Sequence, residues 1–366
     1  MTAVYLNRIA TAVPDHDIHA NFVRIAPAML HDERRLAVFK RMAARAKIEH
    51  RYSVLAPGTA QERFDAQGLY TLGAFPDTRT RMGLFEDQAF ALARRALDRL
   101  DLASVKDRVS HLILTTCTGL YAPGVDFQVM RHYGLAESTE RTVIGFMGCY
   151  AALNALKAAR HFVRSDPQAL VLVLNLELCT LHLQETSDLE TLLSFLVFAD
   201  GCAASLVSAE PTGIELLSFR STVLPASEEY ITWRIGGSGF DMVLSGQIPA
   251  SIASGLPPGL EAILEGGRAE DIAHWAIHPG GRIILDAVQK ALGLPDRLME
   301  SSRRILRDFG NMSSATIMFV LKDLMERASA PGPGCAMAFG PGVTVESLLF
   351  HLPQAGSSAS AAPSPK

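Results

Sequence analysis

The segment Arg141-Thr-Val-Ile-Gly-Phe-Met-Gly-Cys-Tyr-Ala-Ala-Leu-Asn-Ala-Leu-Lys-Ala-Ala-Arg160 predicts a strand, a sharp turn and a helix in immediate succession. The apolar residues between Val143 and Phe146 favour a short buried strand, and Gly148 permits the turn. The alanine-rich run that begins at Ala151 is a strong helix former. We therefore expect Cys149 to lie at an elbow between a strand and the N-terminus of a buried helix.

A thiol at such an elbow has the surroundings of a nucleophile. The unpaired N–H groups and the positive dipole end of a helix favour the thiolate and also bind an oxyanion. A lone cysteine is more often a small core hydrophobe, so Cys149 alone does not identify a reaction. Residues elsewhere in the chain must supply its partners.

The composition indicates a globular protein that handles small molecules. The chain has 366 residues, 48% of them hydrophobic and 20% charged, which is enough for a large core or two fused domains. A net charge of -4 and a pI near 6.3 give no overall attraction to nucleic acid or anionic membranes. Five cysteines without C-x-x-C or zinc-type spacing predict free thiols, no metal and no permanently bound cofactor. Because neither a signal-peptide pattern nor a membrane-length apolar run is present, we expect a soluble cytoplasmic protein.

Two further segments place this elbow in an α/β fold. The run from Ala169 to Glu177 is almost continuously apolar, as a central strand buried on both faces requires. The run from Leu36 to Ile48 predicts a helix whose second face is basic and carries Arg41 and Arg45. A charge run of this kind is usually a solvated face, but it also suits the phosphates of a nucleotide-bearing substrate.

The two halves of the chain show an approximate internal duplication. Residues 146–156 and 309–319 share an aromatic residue, a glycine, a polar residue at the elbow and an apolar helix, which makes Cys149 and Asn311 equivalent. The strand predicted at 111–116 is similarly echoed by the one that ends at His278. Two such halves, 1–212 and 213–353, would bring Cys149, His278 and Asn311 to one buried point. The Ala-, Ser- and Pro-rich residues 354–366 predict a disordered tail.

Those three side chains can carry out one specific reaction. Cys149 as a thiolate attacks a thioester and holds the acyl group, with His278 stabilising the thiolate as an ion pair at rest. The imidazole and the Asn311 amide then donate to a malonyl thioester oxygen while carbon dioxide leaves. The carbanion attacks the acyl-sulfur carbonyl, which is a decarboxylative Claisen condensation. Taken singly, His278 also fits a hydrogen-bonded core histidine and Asn311 a turn or cap residue.

The ordered motifs resemble those of the chalcone and stilbene synthase superfamily, the type III polyketide synthases, from the first strand to Leu352. The matching motifs are Gly148-Cys149, Phe198 within Phe-Ala-Asp-Gly, His278-Pro-Gly-Gly281, Gly310-Asn311-Met-Ser-Ser314 and Phe339-Gly-Pro-Gly342.

The resemblance implies a thiolase-like αβαβα fold of two pseudo-repeated halves, a homodimer and CoA thioester substrates. It implies Cys149 as nucleophile, His278 and Asn311 as decarboxylation residues, and Phe198 as a shield between the CoA tunnel and the cavity. An aromatic ring at that point excludes water and orients the malonyl group. The residues expected to bind CoA are Arg41, Arg45, Gly280 and Gly281.

Departures from the plant pattern concern the starter. Val38 replaces a third basic CoA contact, and Ala122 replaces a methionine that crosses the dimer interface. The predicted cavity residues are Cys117, Cys179, His182, Trp233, Met242 and Ser313. Several of them differ from the plant residues, so we expect a fatty acyl-CoA starter and an alkylresorcinol or alkylpyrone product. Cavity volume rather than any motif sets the starter, the number of extensions and the mode of ring closure.

Two other functions fit part of the same pattern. A ketoacyl-acyl carrier protein synthase of the initiating type shares the three residues and the fold but takes its extender from a carrier protein. A catalytically silent acyl-CoA binding protein would need only the cavity. Phe198 and the 339–342 loop argue against the first, and the complete set of reactive residues argues against the second.

Overall fold

The computed structural model describes residues 2–353 of the chain. The tail predicted at 354–366 lies outside the described residues. Within 2–353 the chain forms thirteen strands and ten α-helices. The strands are β1 (Tyr5–Ala12), β2 (His16–Asp17), β3 (Tyr52–Ser53), β4 (Val109–Thr116), β5 (Glu140–Gly145), β6 (Leu170–Leu178), β7 (Asp200–Ser208), β8 (Ile214–Val223), β9 (Ile231–Gly236), β10 (Gly239–Leu244), β11 (His274–Ile277), β12 (Gly332–Gly340) and β13 (Thr344–Leu352). The helices are α1 (His19–Ile25), α2 (Glu33–Ala46), α3 (Thr78–Leu100), α4 (Val125–Tyr133), α5 (Ala151–Ser165), α6 (Leu189–Phe195), α7 (Ile248–Ile263), α8 (Arg282–Leu292), α9 (Glu300–Phe309) and α10 (Ser314–Arg327).

Nine strands form one mixed sheet in the order β11-β12-β13-β8-β1-β7-β6-β4-β5. The first strands of the two halves, β1 and β8, pair antiparallel in its middle. Outward from β1 the order is β7, β6 and β4, and outward from β8 it is β13, β12 and β11. In both directions the last two of these strands run parallel to each other. The second half therefore repeats the strand order of the first, except that it lacks an equivalent of β5.

Alternating side chains bury both faces of the sheet. In β6, Leu172 and Leu174 pack in a core cluster with α3, whereas Val171 and Val173 pack in a second cluster with α5 and α10. All nine residues of β6 are buried, which confirms the central strand predicted from the apolar run.

The second half repeats this arrangement. In β12, Ala336 and Ala338 join the cluster around α5 and α10, whereas Cys335 and Met337 join a third cluster with α7 and α8. The sheet therefore has three helix layers. Helix α3 covers the outer face of the first half, α7 and α8 cover the outer face of the second half, and α5 and α10 lie between the two halves. This is the αβαβα arrangement of two pseudo-repeated halves that was predicted.

The strand before the elbow differs from its prediction. β5 is an edge strand that pairs only with β4, and Val143 is 45% exposed rather than buried. Phe146 lies beyond the strand, in the turn, with a φ of 59°. An apolar strand sequence is therefore compatible with an exposed edge as well as with a buried strand.

The structure also bears on membrane insertion. In the described part of the chain, no helix is both long and apolar enough to cross a membrane.

Candidate active site

A cavity of about 290 Å³ opens where the two halves meet. Cys149 from the first half and His278 and Asn311 from the second all line it. Phe198, Trp233 and Ser313 also lie on its wall. The structure therefore places the three residues of the predicted condensation chemistry around one space.

Backbone geometry at Gly148 positions the thiol. The chain leaves β5, passes through the short turn Gly148–Tyr150 and enters α5. Gly148 has a φ of 73°, and a Cβ at this position would lie 2.5 Å from Pro341 Cδ of the other half. A side chain would be strained by the backbone conformation and would clash with Pro341. Glycine at this position thus lets the two halves come close together beside Cys149.

The resting thiol is neutral. Burial raises the pKa of Cys149 to about 12, and the charge of Glu177 acts in the same direction. Hydrogen bonding from the Ser313 and Asn311 side chains lowers it only in part. Loss of solvation outweighs these hydrogen bonds, so burial acts against the thiolate that the helix N-terminus was expected to favour.

His278 follows β11 and is only 1% exposed. Burial lowers the pKa of its imidazole to about 3, so the ring is neutral. Burial therefore disfavours both members of the thiolate-imidazolium ion pair that was expected at rest, since it raises the pKa of Cys149 and lowers that of His278. Neither ring nitrogen has a hydrogen-bond partner among the described residues. Buried polar atoms rarely lack a hydrogen-bond partner. Two such nitrogens on a cavity wall could bind an oxygen atom of a ligand or exchange a proton with it.

Asn311 is held by its backbone and by its side-chain oxygen. Its N–H donates to Val197 O at 2.8 Å, and its carbonyl accepts from the Ala199 N–H at 2.9 Å. These bonds form an isolated parallel bridge between Phe198 and Asn311. The Ser313 N–H donates to Asn311 Oδ1 at 2.9 Å, which leaves the Nδ2 donor on the side of Gly280.

Trp233 separates the cavity from residues that were predicted to line it. Its indole packs edge-on against the His182 ring at a centroid distance of 4.9 Å, and Met242 is its cross-strand neighbour. Cys117, Cys179, His182 and Met242 are buried but do not line the cavity. Of the six predicted cavity residues, the wall includes Trp233 and Ser313, and the indole lies against His182 and Met242.

Arginine side chains mark the mouth. Arg45 lines the cavity together with Gly280 and Gly281, whereas Arg41 lies on the exposed face of α2 and does not line it. Arg282, the first residue of α8, also lines the cavity, and its Nη1 donates to the Arg45 carbonyl at 3.1 Å. Sequence reasoning missed Arg282. The signal available was a cation placed directly after His278-Pro-Gly-Gly281.

Glu177 was also missed. This fully buried carboxylate accepts from Ser314 Oγ at 2.6 Å and from the Cys117 N–H at 2.9 Å. Burial raises its pKa to about 7. It ties β6 to the start of α10 and to the strand end behind the thiol. The signal was a charged residue at the end of an otherwise apolar strand.

Metal ligation has a structural test of its own. Over residues 2–353, no group of three or more His, Cys, Asp or Glu side chains is arranged to hold a metal ion.

The raised pKa of Cys149 predicts a distinctive reactivity profile. Alkylation by iodoacetamide should accelerate with pH from 6 to 10, about tenfold per unit, because the thiolate fraction rises until the pKa is reached. The loss of condensation activity measures the rate, and a Cys149→Ser variant that takes up no reagent at this site is the control. A rate that levels off below pH 8 would instead show a thiolate stabilised at rest.

Relatives support one family. The chain is 38% identical over 290 residues to the mycobacterial "Alpha-pyrone synthesis polyketide synthase-like Pks18", covering 75% of this chain and 73% of that protein. It is 32% identical over 335 residues to the "Bisdemethoxycurcumin synthase" of rice, covering 86% and 82%. A solved polyketide synthase of the brown alga Ectocarpus siliculosus superposes with a TM-score of 0.85 at 26% identity, covering 96% and 99%. The type III domain of the Dictyostelium hybrid synthase Steely1 shares the fold, with a TM-score of 0.88 at 24% identity over 96% of this chain and 99% of that domain.

Family models cover nearly the whole described chain. The N-terminal domain of chalcone and stilbene synthases matches residues 4–211, and the C-terminal domain matches residues 215–353. The chain belongs to the chalcone and stilbene synthase family of type III polyketide synthases, acyltransferases that use CoA thioesters.

Proposed function

We propose that this polyketide synthase loads a fatty acyl group from CoA onto Cys149, extends it with malonyl-CoA and cyclises it to an alkylresorcinol or alkylpyrone. The observation that carries the starter assignment is the cavity wall. Beyond the reacting groups it is mostly apolar, with a few polar members such as Arg45, Arg282 and Glu190, and the Trp233 indole lies on its wall. The larger non-aromatic apolar residues of the lining are Met42, Leu193, Leu196, Val197, Ile231, Leu244, Ile248, Ile283 and Ile284.

Such a wall suits a flexible hydrocarbon chain. Burial of methylene groups stabilises the bound starter by about 0.8 kcal/mol each. A flexible chain also fits a cavity of about 290 Å³ by following its shape, whereas a rigid ring system needs a slot of matching width. The mycobacterial relative, whose name states alpha-pyrone synthesis, supports a pyrone among the two product types.

The first chemical step is transfer of the starter to sulfur. Because burial keeps both Cys149 and His278 neutral, we propose that His278 accepts the thiol proton while Cys149 Sγ attacks the thioester carbonyl. The imidazolium then returns this proton to the departing CoA sulfur. The step forms one thioester, breaks another and leaves His278 neutral.

Neutral His278 has a second role in this proposal, for which its N–H must face the substrate. Neither ring nitrogen is held by a hydrogen bond within residues 2–353, so the ring can change tautomer between the two steps. Together with Asn311 Nδ2 it donates to the malonyl thioester oxygen, which gains negative charge as the C–CO2 bond breaks. The enolate carbon attacks the acyl carbonyl and expels the Cys149 thiolate, which takes up a proton before the next cycle. Phe198 covers the reacting carbon and keeps water from protonating the enolate.

The mouth carries the charge that a CoA substrate requires. Asp286 Oδ1 lies 2.7 Å from Arg303 Nη2, and Asp286 Oδ2 lies 3.5 Å from Arg282 Nε. One carboxylate is thus shared between two guanidinium groups. With Arg45 this cluster has a net positive charge beside the cavity, in a protein of net charge -4. We propose that Arg45 and Arg282 hold the CoA phosphates, with Gly280 and Gly281 against the pantetheine arm and Arg41 at the nucleotide end.

The exposed edge of β5 supports a homodimer. Leu120, Val143 and Met147 are 58%, 45% and 36% exposed, and Leu120 lies over Gly145 at the end of this strand. An apolar edge strand with free backbone groups pairs readily with a second copy of itself. We propose a two-fold dimer through this edge, and a cytoplasmic location where CoA thioesters and free thiols persist.

The Cys149→Ala variant tests whether Cys149 carries the acyl group while His278 and Asn311 carry out decarboxylation. It should form no polyketide yet still release labelled carbon dioxide from malonyl-CoA, since His278 and Asn311 remain. No carrier protein should be needed, which separates this function from a ketoacyl-acyl carrier protein synthase. Full-length product from the variant would remove Cys149 as the nucleophile. If the wild-type protein releases no carbon dioxide from malonyl-CoA or from the malonyl-acyl carrier protein, it is a catalytically silent acyl-CoA binding protein.

Trp233→Gly tests the cavity wall. Removing the indole should open the space toward His182 and change the accepted starters or the number of extensions, while acylation of Cys149 survives. Trp233→Phe, which keeps an aromatic wall, is the control. Products are read by mass, and melting temperature is measured in parallel. An unchanged product profile with a stability loss of about 3 to 5 kcal/mol would mean that Trp233 is only a core residue.

Arg282→Ala and Arg45→Ala test the phosphate contacts. Each should raise the KM for acyl-CoA by about two- to fivefold with little change in kcat, because partly exposed charges far from the reacting carbon bind ground and transition states alike. Thioesters of N-acetylcysteamine, which lack the phosphates, should be unaffected. Arg303→Ala is the matched control, since Arg303 shares Asp286 but does not line the cavity. An equal effect on both thioester types would contradict the assignment.

A further inference from the structure

Arg51 is a buried cation beside the active site that the proposed reaction does not use. It is 1% exposed, and the carboxylates of Asp17 and Asp200 act on its guanidinium from beyond salt-bridge distance in the described part of the chain. Burial lowers its pKa to about 9, so it remains charged at neutral pH. Burying a guanidinium group without a direct counter-ion is costly, and apolar side chains fill such space at lower cost. The partners that it does have therefore need an explanation.

Those partners belong to the segment that carries Phe198. Arg51 Nη1 donates to Phe195 O at 2.9 Å and to Phe198 O at 2.6 Å. Arg51 Nε donates to His19 Nδ1 at 3.0 Å, which fixes the plane of the guanidinium. The Phe22 ring lies under the guanidinium carbon at 4.8 Å and completes its support. One nitrogen of a guanidinium whose plane is fixed by His19 and Phe22 thus binds both ends of the turn from Phe195 to Phe198, while Nη2 has no hydrogen-bond partner among the described residues.

The same turn is bonded to Asn311. Val197 O accepts the Asn311 N–H, and the Asn311 carbonyl accepts the Ala199 N–H, on either side of Phe198. Gly310, directly before Asn311, comes so close that a Cβ there would lie 2.8 Å from Arg51 Cγ. The Arg51 side chain thus contacts the backbone on both sides of the bridge between Phe198 and Asn311, whereas the backbone of Cys149 is fixed separately by Gly148 and α5.

We propose that Arg51 is a positioning residue that sets Phe198 and Asn311 at the correct distance from the malonyl thioester, and that His19 orients Arg51 for this task. This inference rests on the proposed role of Asn311 in decarboxylation. It places the effect of Arg51 in the extension step and not in the loading of the starter.

The chain offers a matched control in Arg81. This residue is equally buried at 1% exposure, donates to the carbonyls of Pro76, Leu181 and Leu183, and lies over the Tyr70 ring at 5.1 Å. Arg81 thus makes the same kind of structural contacts but has no hydrogen bond to the turn that bears Phe198. Replacing either arginine by lysine keeps the charge and removes the planar fork.

The test compares Arg51→Lys with Arg81→Lys. Arg51→Lys should slow carbon dioxide release from malonyl-CoA by about 10- to 100-fold in kcat with little change in KM, because a displacement near 1 Å at the reacting group has effects of this size. The rate of Cys149 acylation by the starter should stay within about threefold of wild type. Arg81→Lys should leave both rates within about threefold while lowering the melting temperature comparably. Equal effects of the two variants, or an equal loss of both rates in Arg51→Lys, would overturn the inference.

His19 provides a second test if Arg51→Lys does not fold. His19→Leu removes the acceptor for Arg51 Nε and should slow decarboxylation, whereas His19→Asn supplies an oxygen acceptor and should restore it. Equal decarboxylation rates in these two variants would likewise overturn the inference. If the wild-type protein releases no carbon dioxide from malonyl-CoA, the proposed function fails first, and this outcome is distinct from a failure of the Arg51 assignment.

Discussion

The catalytic geometry depends on one constraint, which is that two strand-to-helix elbows from different halves must meet without a layer of side chains between them. On one side Gly148 faces Pro341 at a distance that leaves no room for a Cβ. On the other side the backbone of Asn311 is bonded directly across to the turn that bears Phe198. The first contact sets the Gly148 backbone against the Pro341 ring and the second joins two backbone segments directly, so the fold itself fixes the backbone positions of Cys149 and Asn311. The central helices α5 and α10, packed in one apolar cluster, hold this arrangement from behind.

This close approach also dries the site, and dryness determines the chemistry. Loss of solvation raises the pKa of the Cys149 thiol and lowers that of His278, so the resting pair is neutral and the proton moves only when substrate binds. A neutral imidazole suits the proposed extension step, because its N–H can donate to the thioester oxygen. The same mostly apolar wall that removes water also favours an aliphatic starter. The choice of substrate and the protonation of the catalytic groups therefore share one physical cause.

Much of this fold follows from local patterns in the sequence, whereas the site is only partly predictable. The apolar run of β6 and the alanine-rich α5 were predicted because burial and helix propensity act locally. The exposure of β5 was not predicted, because a short apolar run does not show whether its strand lies in the middle or at the edge of a sheet. Trp233 was expected on the cavity wall, but its contact with His182, which does not line the cavity, depends on how the β9-β10 hairpin packs on the rest of the chain. The burial of Arg51 was not predicted, because nothing local in the sequence shows that a charged side chain points inward.

The central claim, that Cys149 carries an aliphatic acyl group in a dry cavity, is tested most directly by the mass of the intact protein. The wild-type enzyme would be mixed with equal amounts of a medium-chain fatty acyl-CoA and an aromatic acyl-CoA, with malonyl-CoA withheld so that the loaded state accumulates. A mass increase equal to the fatty acyl group, absent from a Cys149→Ala variant, is the result that the proposed function predicts. A dominant aromatic adduct, or an adduct that persists without Cys149, would contradict it.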